Sequence, residues 1–139
     1  MFRISQHYCD TKQNKKKERG NRMTIATSYM ANYRKHGNHV PICIMRWKPK
    51  YFNGIHFPLL APSSENLSTY KYGEMSFDTF YDEMVKQLEL LDSNKVFHQL
   101  EQFGDNIVLL CTCKDYEHCH RKIVADWLSK ELSIEIKEL

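Results

Sequence analysis

Residues 111–121 read CTCKDYEHCHR and hold three of the chain's five cysteines, two histidines and an arginine. Three chemistries fit residues of these types so close together. A cysteine at a helix N-terminus, beside cations, is a setting that makes a thiolate nucleophile, and an adjacent histidine is its natural base. Cys119 and His120 are therefore the candidate catalytic pair. A helix start with basic residues in its first turn also suits a phosphate or carboxylate, because free N–H groups and the helix dipole favour negative charge there. Arg121 is the candidate anion ligand. The third chemistry is a zinc site from Cys111, Cys113, Cys119 and His120, with His118 as a substitute for His120. The spacing C-x-C-x5-C-H departs from the paired C-x2-C and H-x3-H units of common zinc modules, so zinc is the lesser alternative and no cofactor is expected.

These residues need elements to hold them. Residues 106–112, NIVLLCT, form an apolar run without alternation, as in a central strand buried on both faces. Apolar residues recur at helical spacing at 123, 124, 127, 128 and 132, and 133–138 alternate like an edge strand. Strand, helix, strand with short links predicts a right-handed βαβ unit. Upstream, 24–29 and 39–46 read as strands, and 47–64 as a long loop rich in proline and aromatic residues. Helices are predicted over 65–72, 76–92 and 94–103, with Gly73 and Gly104 as stops. Phe77, Phe80, Tyr81, Met84, Val85, Leu88 and Leu91 give the second of these one apolar face. The order predicts an α/β fold: a small two- or three-layer Rossmann-like sandwich on a mostly parallel sheet of about four strands.

Composition narrows the classes. With 42% hydrophobic residues the chain can bury a core, and no apolar run approaches the ~20 residues of a membrane span. An odd, clustered cysteine set argues against a secreted disulfide framework and for a reducing, cytoplasmic setting. Residues 1–22 carry seven Lys/Arg against two Asp/Glu, which leaves the other 117 residues near −2. They read as a disordered basic arm, able to touch nucleic acid weakly, ahead of one α/β domain over 23–139, with Met23 as the expected natural start. The G-x-G-x-x-G, Walker, H-E-x-x-H and G-x-S-x-G motifs are absent, which argues against dinucleotide binding of the usual kind, P-loop hydrolysis, zincin proteolysis and serine hydrolysis.

TSYMAN at 27–32, LAPS at 60–63, LLC followed after seven residues by CHR, and ADWL at 125–128 resemble a widespread family of small bacterial and phage proteins classed as a domain of unknown function. The resemblance spans 23–132 and implies a compact α/β domain. It places Thr27, Ser28, Tyr29, Asn32, Cys111, Cys119, His120 and Arg121 on characteristic positions. Two positions depart from the pattern: Cys113 stands where members usually carry an acidic residue, and Met30 where they usually carry Phe. If the strands bearing TSYMAN and CHR are neighbours, Ser28, Tyr29 and Asn32 face Arg121 across one crevice. Arg46 and Trp47 would close its top. The expected function is binding of a small anionic ligand of nucleotide or nucleoside type, with or without Cys/His chemistry. A non-catalytic module that sequesters a nucleotide or binds a protein, and a redox or zinc module, are the alternatives.

Overall fold

The computed structural model describes residues 23–139; the basic arm expected at 1–22 lies outside the described residues. Among the described residues five strands form one sheet: β1 (Thr24–Tyr29), β2 (Val40–Cys43), β3 (Ile55–His56), β4 (Asn106–Cys111) and β5 (Lys137–Glu138). Their spatial order is β3-β2-β4-β1-β5, and every pairing is parallel. The sheet thus has five strands rather than about four, and is all-parallel rather than mostly so. The additional strand, β3, sits inside the proline-rich loop. Two residues are too few to carry a period, so no pattern in the sequence marks it.

Four α-helices among the described residues accompany the sheet: α1 (Ser64–Lys71), α2 (Phe77–Glu89), α3 (Ser93–Glu101) and α4 (His120–Leu132). The first three begin at side chains that accept hydrogen bonds from orphan amides. Ser63 caps α1 through Asn66 N–H at 3.1 Å, Ser76 caps α2 through Thr79 N–H at 3.2 Å, and Asp92 caps α3 through Asn94 N–H at 3.0 Å.

β4 is central, and its side chains alternate between two cores. Ile107 and Leu109 join Ile25, Ile42 and Ile44 under Phe80, Met84 and Leu88 of α2 and Ile123, Val124 and Leu128 of α4. Val108 and Leu110 join Ala26, Met30, Cys43 and Phe52 on the opposite face. That face is covered by a 3-10 turn, Met30–Lys35, and by the Phe52 loop. Helices therefore pack on one side and irregular chain on the other. Among the described residues no helix is long and apolar enough to cross a membrane.

The register places Tyr29 at the end of β1 opposite Cys111 at the end of β4. The exits of β1, β2 and β4 thus share one edge of the sheet, the edge at which open α/β sheets bind ligands.

Candidate functional site

After Cys111 the chain makes a short excursion through a 3-10 turn, Tyr116–His118, whose start is capped by Asp115. It returns at Cys119, the N-cap of α4, with extended backbone (φ −121°, ψ 147°). The return brings Cys119 and His120 back onto Cys111. The two sulfurs and a ring nitrogen of His120 all lie within 4.8 Å of one another, and all three residues are buried.

His120 Nε2 is 2.8 Å from the carbonyl oxygen of Ile44, just past β2, and Nδ1 is 3.5 Å from Cys111 Sγ. A carbonyl can only accept, so Nε2 carries the proton. In the neutral ring Nδ1 then presents its lone pair to the Cys111 thiol. It can take the thiol proton and keep the same geometry as an imidazolium facing a thiolate. Cys111 is held below the ordinary thiol range, chiefly by a hydrogen bond from Cys119. Burial opposes this, while the Cys113 backbone and the Arg121 charge assist. Cys113, the exposed third cysteine, is pushed far in the other direction by its contact with Cys119 and by burial of its thiol.

Arg121 is 1% exposed. Its Nη2 lies 2.8 Å from Glu138 Oε2, its Nε 3.1 Å from Glu138 Oε1, and its Nη1 2.6 Å from the Cys113 carbonyl oxygen. Nη1 also donates to Cys119 Sγ at 3.2 Å, and the Arg121 backbone N–H reaches the same sulfur at 3.5 Å. The anion facing this guanidinium is thus a carboxylate of the chain itself. Thr27 Oγ1 donates to Glu138 Oε1 at 2.7 Å, which ties β1 into the same network. Desolvation weighs against the charged guanidinium, yet the Glu138 hydrogen bonds and the neighbouring charges hold Arg121 above its ordinary value.

A cavity of about 240 Å³ opens over the thiols. Its floor is Cys111, Thr112, Cys113, Cys119 and His120, and its walls include Met45, Trp47, Tyr70 and Phe80. Arg46, Lys71 and His118 also line it, and none of the described lining residues is acidic. Arg46 holds the loop ahead of α1 by donating to the carbonyls of Ala61 at 3.1 Å and Pro62 at 2.9 Å. Trp47 is 64% exposed at the rim. A larger, more open hollow of about 530 Å³ between Phe57, Leu59, Gln87 and Gln99 shares Arg46 but contains no thiol.

The residues singled out in the sequence therefore divide into three groups. Cys111, Cys113, Cys119, His120 and Arg46 converge on the cavity. Thr27 and Arg121 meet at Glu138 beneath it. Ser28, Tyr29 and Asn32 are not among the cavity's lining; Ser28 is fully buried with its Oγ 2.9 Å from His36 Nε2. The strands bearing TSYMAN and CHR are neighbours, as the crevice required, but the cavity opens on the β2 side of β4 rather than between the two motifs. Four contributors were not visible in the sequence. The Ile44 carbonyl is backbone and leaves no residue signal. Glu138 looked like the polar half of an alternating edge. Tyr70 and Lys71 sit on a helix without a buried residue.

A family model described as the active DUF488-N3 subclade matches residues 7–132. The chain belongs to that subclade. The expected membership of a domain-of-unknown-function family therefore holds. No curated protein and no solved structure matches the chain.

Proposed function

We propose that the protein is a thiol-dependent enzyme acting on a small anionic, ring-bearing ligand of nucleotide or nucleoside type, with Cys111 as nucleophile and His120 as its base. One observation carries this reading: His120 is fixed at Nε2 by the Ile44 carbonyl while Nδ1 faces the Cys111 sulfur at 3.5 Å. Nucleophile, base and an orienting third group in sequence is the general pattern of covalent catalysis. The candidate catalytic pair of the sequence, Cys119 and His120, thereby widens to include Cys111. Cys119 becomes the donor that steadies the Cys111 thiolate, itself held by Arg121.

The step follows from the geometry. Nδ1 takes the proton from Cys111 Sγ. The sulfur pair attacks an electrophilic carbon of the ligand, an S–C bond forms, and the bond to the leaving group breaks. The imidazolium returns the proton to that leaving group. Water later cleaves the S–C bond, with His120 as base. The ligand class is supported by the walls. Trp47, Tyr70 and Phe80 offer aromatic faces, Arg46 and Lys71 offer cations, and no described lining residue repels an anion. A reactive free thiol functions in a reducing compartment, which fits a cytoplasmic setting.

Incubation of the purified protein with a mixture of nucleotides and nucleosides tests the reading. Consumption of one component, with a covalent adduct on Cys111 seen by intact mass, is the expected result. Recovery of bound but unaltered ligand would favour a binding module without turnover. Turnover that survives Cys111→Ser would remove Cys111 from the chemistry.

A further inference from the structure

We infer that Cys111, Cys119 and His120 form a three-donor site for a single zinc-type ion, with the fourth coordination position facing the cavity. The site stands on geometry. Tetrahedral zinc with ordinary bond lengths places a sulfur and a nitrogen ligand about 3.5–3.6 Å apart. Cys111 Sγ and His120 Nδ1 are 3.5 Å apart. The remaining separations within the triad are at most 4.8 Å, close enough that small side-chain rotations bring all three atoms onto one ion.

The surroundings match those of a metal ligand as well. A ligating histidine almost always donates its other ring N–H to a carbonyl or carboxylate, which sets its tautomer and aim. His120 does so to Ile44 O at 2.8 Å, leaving Nδ1 as the free donor atom. Cys119 Sγ is oriented by two N–H groups of Arg121. Two thiolates, one neutral imidazole and a divalent ion sum to zero charge, so the complex needs no further counter-ion in a buried place. Soft sulfur donors select zinc-type ions over magnesium or calcium. Three protein ligands with an open fourth position is the arrangement of zinc sites that accept water or ligand, rather than of closed structural sites.

Cys113 is not one of the three. The residue is exposed and its sulfur is not among the three mutually close donor atoms, so the fourth position is left to water or to an anion in the cavity. The consequence for function rests on the reading of Cys111 as nucleophile. An ion held by its sulfur takes up the lone pair needed for attack, so zinc would mask the thiol reversibly.

The test uses the full chain, chelator-treated and reduced, with Zn2+ in competition against a chromophoric chelator and Co2+ as spectroscopic probe. One ion per chain and intense visible and sulfur-to-cobalt bands of tetrahedral thiolate coordination are expected. Cys111→Ser, Cys119→Ser and His120→Ala should each weaken Zn2+ affinity by about a hundredfold or more, beyond the loss typical of an outer-shell partner. Cys113→Ser should leave it unchanged. Absence of binding by the unmodified chain, a weak octahedral cobalt spectrum, or equal affinity in the three ligand variants would each overturn the proposal. The cobalt spectrum needs no variant, so misfolding of a substituted chain does not obscure the result. Alkylation of Cys111 by iodoacetamide separates the two readings: a slow metal-free reaction refutes the nucleophile while leaving the metal site standing. Fast reaction that Zn2+ suppresses supports both.

Discussion

The guanidinium of Arg121 and the carboxylate of Glu138 form a two-pronged ion pair inside the fold, with Nη2 2.8 Å from Oε2 and Nε 3.1 Å from Oε1. The arginine side chain is 1% exposed and the glutamate 26%. Removing one partner of a buried pair leaves the other charge stranded, a loss of about 3–5 kcal/mol. Glu138→Ala should fall near the lower end, about 3 kcal/mol, because Glu138 retains some water. Glu138→Gln keeps one acceptor and should cost less. Urea denaturation followed by tryptophan fluorescence measures both. A loss below that of an ordinary surface substitution in Glu138→Ala would mean that Arg121 finds another partner.

His120 faces Cys111 through one nitrogen, so its removal has a specific signature. In metal-free protein, His120→Ala should slow alkylation of Cys111 near neutral pH by tenfold or more, within the ~10²–10⁴ range typical of a positioned base. Cys119→Ala removes the hydrogen bond that chiefly lowers the Cys111 thiol. The alkylation profile of that variant should shift to higher pH. The sign also constrains stability. A thiol lowered in the folded state stabilises the fold above its unfolded value, and that contribution fades as pH falls through the folded value. A profile unmoved in both variants would leave Cys111 an ordinary buried thiol.

How much of this was legible in the sequence depends on the kind of signal each residue leaves. α2 was readable because Phe80, Met84 and Leu88 recur every four residues and all three are buried. β4 was readable because five successive buried residues need apolar side chains on both faces. β3 carried only two residues, Ile55 and His56, between prolines and glycine, too few for any period. At the site, the cysteine and histidine cluster was visible as composition, but its wiring was not. The pairing of Cys111 with His120 depends on how tightly residues 112–119 fold back, and on a carbonyl just past β2 that is 76 residues away from His120. Arg121 stood out as an anion ligand by position. Its partner Glu138 lies 17 residues further on, and no local rule links them.

Tyr81 on α2 donates its hydroxyl to Asp126 Oδ2 on α4 at 2.8 Å, joining the two helices that roof the sheet. Burial first, then the Asp126 hydrogen bond and charge, push its phenol up to about 12. The folded chain therefore holds this proton more tightly than the unfolded chain. The resulting stability is fully present below the ordinary phenol value of about 10 and is lost as pH rises through about 12. In an ultraviolet titration the latest phenol should be absent in Tyr81→Phe and moved downward in Asp126→Asn. Tyrosines that all titrate together near the ordinary value would contradict the Tyr81–Asp126 contact.

α4 ends at Ser133, which adopts φ 54° and ψ 46°, the left-handed region that favours glycine. This turn directs the chain toward β5 and so delivers Glu138 to Arg121. A side chain in that conformation costs about 1–2 kcal/mol, while glycine loses about 0.5–1 kcal/mol through the flexibility it adds to the unfolded chain. Ser133→Gly should therefore stabilise the protein by about 0.5–1 kcal/mol, read as a higher urea midpoint with an unchanged slope. The Arg121–Glu138 pair should be unaffected, because only the backbone preference of the turn has changed. In a Glu138→Ala background the same substitution should give the same increment, since relief of a strained turn does not depend on the ion pair beyond it. An increment that vanishes in that background would show that the turn is held in its left-handed conformation by the pull of Glu138 on β5, and that strain and salt bridge form one cooperative unit.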